Sequence, residues 1–150
     1  SGYNSISGDG LVLAIGAHQN NGNNGADSGH VRIYSWDGSV WNKIGQDIDG
    51  EASGDESGLS VSLSYDGSIV AIGARKNDGN GNQAGHVRVY RWNESNSWWD
   101  KVGNDINGEE AEDNFAQIYE YIAHDSILQA SKIILHIKNT IEILKIFPLS

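Results

Sequence analysis

Two stretches rich in asparagine, aspartate and glycine carry side-chain oxygens that could bind a ligand. They run from Asn20 to Asp27 and from Asn77 to Asn82. Carboxylate and amide oxygens are the hard ligands that Ca²⁺ prefers, so calcium is the candidate metal. The candidate metal ligands are Asp78, Asn80, Asn82 and Asp27. The same residue types are also those that left-handed turns select, so a plain turn is the competing interpretation.

Tryptophan side chains offer a second kind of ligand contact, because an aromatic ring can stack on a sugar or pack in an interface. Four of the five tryptophans recur as two pairs, Trp36 with Trp92 and Trp41 with Trp99, which is typical of packing positions. Trp98 has no counterpart, and we expect it to be exposed. The candidate ligand-binding residues are Trp98, Asn77, Asp78 and Asn80.

The histidines and acidic residues could in principle do catalysis. His30 and His86 each follow a glycine at equivalent places, which favours a structural role. Paired carboxylates can hydrolyse glycosides, but the acids between Asp47 and Asp55, and those from Asp105 onward, have the composition of solvated linkers. The chain contains no GxSxG, HExxH or phosphate-cradling glycine loop. We therefore predict a protein without catalytic residues.

The composition excludes several classes of protein. The 150 residues include 20 acidic and 10 basic side chains, for a formal net charge of −10. This excess of acidic residues argues against a nucleic-acid partner, because a protein that binds the phosphate backbone needs a basic face. The chain has no cysteine, which excludes disulfides, thiolate zinc sites and cysteine nucleophiles. It also lacks an apolar run of about 18 residues, so we expect no membrane insertion.

An internal repeat with a period of about 57 residues organises the first two thirds of the chain. The matched segments are VLAIGA (12–17) with IVAIGA (69–74), GHVRIY (29–34) with GHVRVY (85–90), and WNKIGQDIDG (41–50) with WDKVGNDING (99–108). The differences in length fall in loops, as expected for a repeated structural unit. We therefore divide the chain into two repeats, 1–108, and a degenerate third repeat or apolar tail, 109–150.

Each repeat has the pattern of four short strands. Val87-Arg88-Val89 alternates apolar and charged residues before Tyr90, Ile69 to Ala74 is a continuous run of small and β-branched residues, and Asp66-Gly67 is a hairpin signal. Four strands per repeat predict an all-β fold of antiparallel four-stranded blades of an incomplete β-propeller. About two and a half blades are too few to close a propeller, which usually has about 4–8. We therefore expect further propeller blades, either in cis in a longer polypeptide or by oligomerisation.

The tail fits two patterns. Apolar residues at spacings of three and four match a helix, whereas Ile133-Leu135-Ile137 and Ile141-Ile143 alternate around Lys138-Asn139-Thr140 as in a hairpin. The density of β-branched residues and the phase of the repeat favour the β-hairpin, and the helix is the alternative.

In the second repeat, Ser57-Gly58 opens the unit, Gly73-Ala74 closes the second strand, and the strand from Gly85 to Tyr90 reads Gly-x-Val-x-Val-Tyr. This order resembles the FG-GAP repeats of integrin-α-type β-propellers. The family's pattern has Phe-Gly at the first place, Gly-Ala-Pro at the second, and the same Gly-x-Val-x-Val-Tyr strand. The resemblance implies a propeller, a role in adhesion and an extracellular or cell-surface location. The family's calcium loop between the first two strands is replaced by the short turn Tyr65-Asp66-Gly67.

The function we expect is a non-enzymatic module that binds protein or carbohydrate within a larger surface or secreted protein. An intracellular WD40-like scaffold is one alternative, although those repeats run about 40–45 residues and Trp36-Asp37 is matched by Trp92-Asn93 rather than by a second Trp-Asp. A fragment of a propeller glycosidase or lyase is the other alternative.

Overall fold

The computed structural model describes residues 3–108 and 135–139. Its strands form two sheets. The first sheet contains β1 (Asn4–Ile6), β2 (Val12–Ala17), β3 (His30–Trp36), β4 (Trp41–Lys43) and β5 (Ile48–Asp49). The second contains β6 (Ser57–Leu63), β7 (Ile69–Ala74), β8 (His86–Asn93) and β9 (Trp98–Asn107).

Both sheets are antiparallel meanders with the same order of strands. The first is ordered β1-β2-β3-β4, with β5 also paired to β3, and the second is ordered β6-β7-β8-β9. In the first sheet, two short strands, β4 and β5, pair with the same edge of β3. In the second sheet the single long strand β9 takes the place of both. Its pairing with β8 has a register shift between Val87 and Val89, where the first sheet has the gap between β4 and β5. The all-β prediction is confirmed, because the described residues form two antiparallel sheets, of five and of four strands. These two sheets do not close into a ring.

The two repeats pair their strands in the same register. Leu13 lies opposite Tyr34 in the first sheet, as Val70 lies opposite Tyr90 in the second. A shift of one residue would turn every side chain to the opposite face of its sheet. The repeated sequence therefore places equivalent side chains on equivalent faces.

The Asp66-Gly67 turn forms as predicted. The carboxylate of Asp66 accepts hydrogen bonds from the hydroxyl of Ser64, at 2.7 Å, and from the backbone and hydroxyl of Ser68. Gly67 has a φ of 72°, in the left-handed region that glycine adopts without a steric penalty. The carboxylate is thus used within its own turn.

The hydrophobic core lies between the two sheets. The side chains that form it are Ala14, Val31, Ile33 and Ile48 from the first sheet and Leu63, Val70, Ile72, Tyr90 and Trp99 from the second. Strands β2 and β6 lie in close contact at Gly16 and Gly58, where a Cβ added to Gly16 would overlap the carbonyl oxygen of Gly58. Two of the glycines that carry the repeat pattern therefore permit the sheets to stack.

The prediction of a hairpin in the tail is wrong where the structure describes it, because residues 135–139 form a short helix. Leu135 is exposed whereas Ile137 is fully buried. A strand would place these two residues on one face, since side chains alternate, so the helical spacing of the isoleucines prevails here. The remainder of the predicted third repeat, 109–134 and 140–150, lies outside the described residues. No helix in the described part is both long enough and apolar enough to span a membrane.

Candidate functional site

The meander places the predicted ligand-binding residues at opposite ends of the second sheet. Residues 75–85, which include Asn77, Asp78 and Asn80, join β7 to β8 at what we call the loop end. Trp98 begins β9 at the opposite end, next to the hairpin that follows β8. The eight residues of β8 separate the two ends by about 23 Å. These residues therefore do not form one site, although Trp98 is exposed as expected.

The predicted metal ligands Asp78 and Asp27 lie in different loops, and they are not equivalent positions of the repeat. Asp78 Oδ1 accepts a hydrogen bond of 2.6 Å from the backbone N–H of Gln83, whose φ is 52°. In the first repeat, Asn21 Oδ1 accepts the N–H of Asp27, whose φ is also 52°. Asp27 is thus the structural counterpart of Gln83. Both loops use their polar residues to close turns, and calcium at Asp78, Asn80, Asn82 and Asp27 stays a prediction.

Asn77 is buried and connects two segments. Its Nδ2 donates to Asp55 Oδ2 at 2.9 Å and to Glu51 Oε2 at 3.1 Å, and its Oδ1 accepts from the N–H of Gly79. Glu51 and Asp55 belong to residues 50–56, the linker between the sheets. Asn77 therefore fixes the β7–β8 loop to this linker instead of facing solvent.

These contacts belong to a larger polar group at the loop end, which we call the junction cluster. It consists of Glu51 and Asp55 from the linker, Asn77 from the loop, His86 and Arg88 from β8, and Asp105 from β9. His86 and Arg88 share a face of β8 because alternate residues of a strand point the same way. The first sheet packs on this same face of the second sheet. The linker starts at the end of the first sheet, and it therefore passes beside His86 and Arg88.

Arg88 is the cation at the centre of the cluster. Its Nε and Nη2 bond the two oxygens of Asp105 at 3.0 and 2.8 Å, and Nη2 also pairs with Glu51 Oε1. Burial opposes ionisation of Asp105, but the hydrogen bonds from Arg88 and Lys101 lower the pKa of its carboxyl to about 2. Asp105 is therefore a carboxylate at any pH near neutrality.

His86 is the one member of the cluster with an unsatisfied atom. The residue is 3% exposed, and its Nδ1 makes no hydrogen bond. That nitrogen lies 3.9 Å from Glu51 Oε2 and 3.8 Å from Asp105 Oδ2. Burial and then the charge of Arg88 lower the pKa of His86, against the opposing effect of the nearby carboxylates. A neutral imidazole therefore faces two carboxylates across a gap.

The junction cluster contains a set of groups that could hold a metal ion. Ligand atoms of Glu51, His86 and Asp105 all lie within 4.8 Å of one another, and no other such group of three or more occurs in residues 3–108 and 135–139. Sequence reasoning assigned Glu51 and Asp105 to solvated linkers and His86 to a structural role. The available signal was the repetition of His, Arg and Asp as His30-Arg32-Asp47 and His86-Arg88-Asp105.

The repeated tryptophans have different surroundings in the two sheets. The rings of Trp36 and Trp41 are 5.5 Å apart, and those of Trp92 and Trp99 are 5.3 Å apart, at similar tilts. Trp99 is 1% exposed under the first sheet, whereas its counterpart Trp41 is 40% exposed. The prediction of packing positions therefore holds for Trp99, and in the described residues the equivalent pair of the first sheet is uncovered.

A scan against protein-family models and a search of curated proteins found no match to this chain.

Proposed function

We propose that the chain is a non-enzymatic segment of a β-propeller-type repeat array that binds a protein or carbohydrate ligand as part of a larger surface or secreted protein. In this proposal the first sheet receives a further blade-like sheet of the same kind on its outer face. The resemblance to FG-GAP repeats supports the adhesive role and the extracellular location.

The observation that carries the proposal is the unequal burial of equivalent faces. We define the outer face of the first sheet by the side chains Ile6, Leu13, Ile15, Tyr34, Trp36 and Trp41. Their counterparts in the second sheet are Leu63, Val70, Ile72, Tyr90, Trp92 and Trp99, which pack against the first sheet. Ile15 is 38% exposed where Ile72 is 2% exposed. A patch of exposed apolar side chains indicates an interaction surface.

The chemistry of the two faces supports a further repeat unit as the occupant of the outer face. The face of the first sheet that meets the second carries small and β-branched residues such as Ala14, Val31 and Ile33. This face accommodates the aromatic side chains of Tyr90 and Trp99. The outer face presents the equivalent aromatic pattern, so its complement is another face of small and β-branched residues. A further repeat unit supplies such a face.

The ligand would be bound at the ends of the sheets, where exposed side chains do not belong to stacking faces. Trp98, at the end opposite the loops, is half exposed and next to a hairpin. An indole in this position can stack on a sugar ring or insert into a protein interface. Stacking of blades would leave both ends of the sheets open to solvent.

The experiment that tests stacking adds one copy of residues 1–57 before the chain and compares Ile15→Lys in both backgrounds. In the original chain the lysine stays in water, and we expect the free energy of unfolding to change by no more than about 0.5 kcal/mol. In the extended chain, Ile15→Lys of the original copy buries a charge beneath the added sheet, and we expect a loss of at least about 2 kcal/mol. Equal, small losses in both backgrounds would refute the proposed stacking.

Ligand binding is tested on an array of glycans and extracellular proteins. Trp98→Ala should abolish a positive signal, and Trp41→Ala, which alters the stacking face, should retain it. Binding that survives Trp98→Ala would remove Trp98 from the site.

A further inference from the structure

We propose that the loop end of the second sheet binds one divalent metal ion such as Zn²⁺. The ligands would be His86 Nδ1 and the carboxylates of Glu51 and Asp105. The ion would join the linker between the sheets to β8 and β9. This inference does not depend on the proposed function, because all three ligands lie within the described chain.

The unpartnered nitrogen of His86 is the main argument. A buried polar atom without a hydrogen bond carries a desolvation cost, and native structures rarely leave one unsatisfied. The two groups that face Nδ1 are Glu51 and Asp105, which as carboxylates are only acceptors. A cation between the three would satisfy the nitrogen lone pair and both carboxylates together.

The spacing of the ligand atoms suits a small cation. Nδ1 lies 3.9 and 3.8 Å from the two carboxylate oxygens. Tetrahedral zinc with bonds of about 2.0–2.1 Å places its ligand atoms about 3.4 Å apart. The two separations from Nδ1 must therefore contract by about half an ångström on binding. The carboxylate oxygens of Glu51 and Asp105 lie within 4.8 Å of each other, so their separation must contract by at most about 1.4 Å. The side chain of Glu51 is partly exposed and can make this movement.

Neighbouring groups already orient the two carboxylates. Asn77 donates to Glu51 Oε2, and Arg88 bonds both oxygens of Asp105 and the other oxygen of Glu51. Hydrogen bonds of this kind to ligating carboxylates are typical of metal sites. The positive charge of Arg88 opposes a second cation, so we expect weaker binding than at a structural thiolate site.

The first repeat supplies an internal control. His30 and Asp47 occupy the positions of His86 and Asp105, and Arg32 that of Arg88. The described residues place no counterpart of Glu51 beside them, because Glu51 reaches His86 from the linker that precedes the second sheet. One complete set of ligands therefore exists in the described part of the chain.

The test uses the full chain after dialysis against a chelator, with Zn²⁺ added in a calorimetric titration and in thermal melts. We expect one Zn²⁺ per chain and a higher melting temperature. Glu51→Gln, at an exposed position that leaves the core intact, should lower the Zn²⁺ affinity at least about tenfold. His86→Gln should do the same, and the matched variant His30→Gln should bind as the original chain does.

Three results would overturn the proposal. The first is the absence of Zn²⁺ binding by a chain whose circular dichroism shows it to be folded. The second is equal affinity in Glu51→Gln and the original chain. The third is stabilisation by Ca²⁺ alone that Asp78→Asn removes and Glu51→Gln does not, which would assign the metal to the β7–β8 loop instead.

Discussion

The two sheets of this protein have nearly the same sequence pattern and the same strand register, but different surroundings. The second sheet has the first sheet stacked on the face that carries Tyr90, Trp92 and Trp99. The equivalent face of the first sheet has no covering sheet among the described residues, and Trp36 and Trp41 stay exposed. Burial in a repeat protein is thus a property of the pair of neighbouring units, as expected when each unit contacts only its neighbours.

The ionic groups follow the same rule. Arg32 with Asp47 and Arg88 with Asp105 are equivalent pairs, with Lys43 and Lys101 four residues before each aspartate. The side chain of Arg32 is 47% exposed and that of Arg88 is 14% exposed, because the stacked sheet and its linker cover the second pair. Stacking also brings Glu51 to Arg88. The junction cluster is therefore a product of two adjacent repeats.

The largest difference between the sheets should appear in their tryptophans. Trp99→Ala removes a ring that is fully buried between the sheets, and we expect it to lower the free energy of unfolding by about 3–5 kcal/mol. Trp41→Ala removes an exposed ring, and its cost should be no more than about 1 kcal/mol. Urea denaturation followed by circular dichroism measures both. Similar losses in the two variants would show that the first sheet is also covered in solution.

The close contact between β2 and β6 should have the next largest effect. Gly16→Ala places a Cβ against the carbonyl oxygen of Gly58, so the sheets must separate, at a cost of about 3 kcal/mol. The control is Gly38→Ala, where the backbone has a φ of 103° but no atom lies near the added Cβ. That variant should cost about 1 kcal/mol from backbone strain alone. Thermal melts of both variants test the ranking, and an equal cost would contradict close stacking at Gly16.

The strands and turns could be predicted from the sequence because their determinants are local. The alternation around Val87 and the Asp66-Gly67 pair each act within a few residues, and the repeat confirms each assignment by a second example. The junction cluster could not be predicted, because strands β6 and β7 separate Glu51 from His86 and Arg88 along the chain. Only stacking brings them together. The helix at 135–139 was missed because alternation and helical spacing both fit the same isoleucines.

Substitution of the two equivalent arginines, Arg88 and Arg32, should lower the free energy of unfolding by different amounts, because only Arg88 lies in the junction cluster. Arg88→Met leaves Asp105 and Glu51 without their shared cation, and we expect a loss of about 2 kcal/mol in the free energy of unfolding. Arg32→Met removes an exposed partner of Asp47, and its cost should be below about 1 kcal/mol. Urea denaturation at low salt measures both. If Arg32→Met costs as much as Arg88→Met, the burial of the second pair does not strengthen it.

The smallest difference should appear at acid pH, where the two repeats should behave alike. The hydrogen bond from Arg32, and then Lys43, lowers the pKa of Asp47 to about 2, the same value that the Asp105 carboxyl reaches although desolvation opposes its ionisation. A carboxyl whose pKa is lower in the folded than in the unfolded state stabilises the protein above the unfolded pKa of about 3.9. That stabilisation is lost as the pH falls from about 4 through about 2.

Because both side chains are partly exposed, we expect each aspartate to contribute about 1–2 kcal/mol to this loss. Asp47→Asn and Asp105→Asn should therefore each flatten the dependence of unfolding free energy on pH between 4 and 2, and by similar amounts. Urea denaturation at stepped pH values measures the slopes. A slope that changes only in Asp105→Asn would mean that the exposed pair of the first sheet does not hold its carboxylate in solution. The two ionic pairs would then differ because only the second is stacked, as the two pairs of tryptophans do.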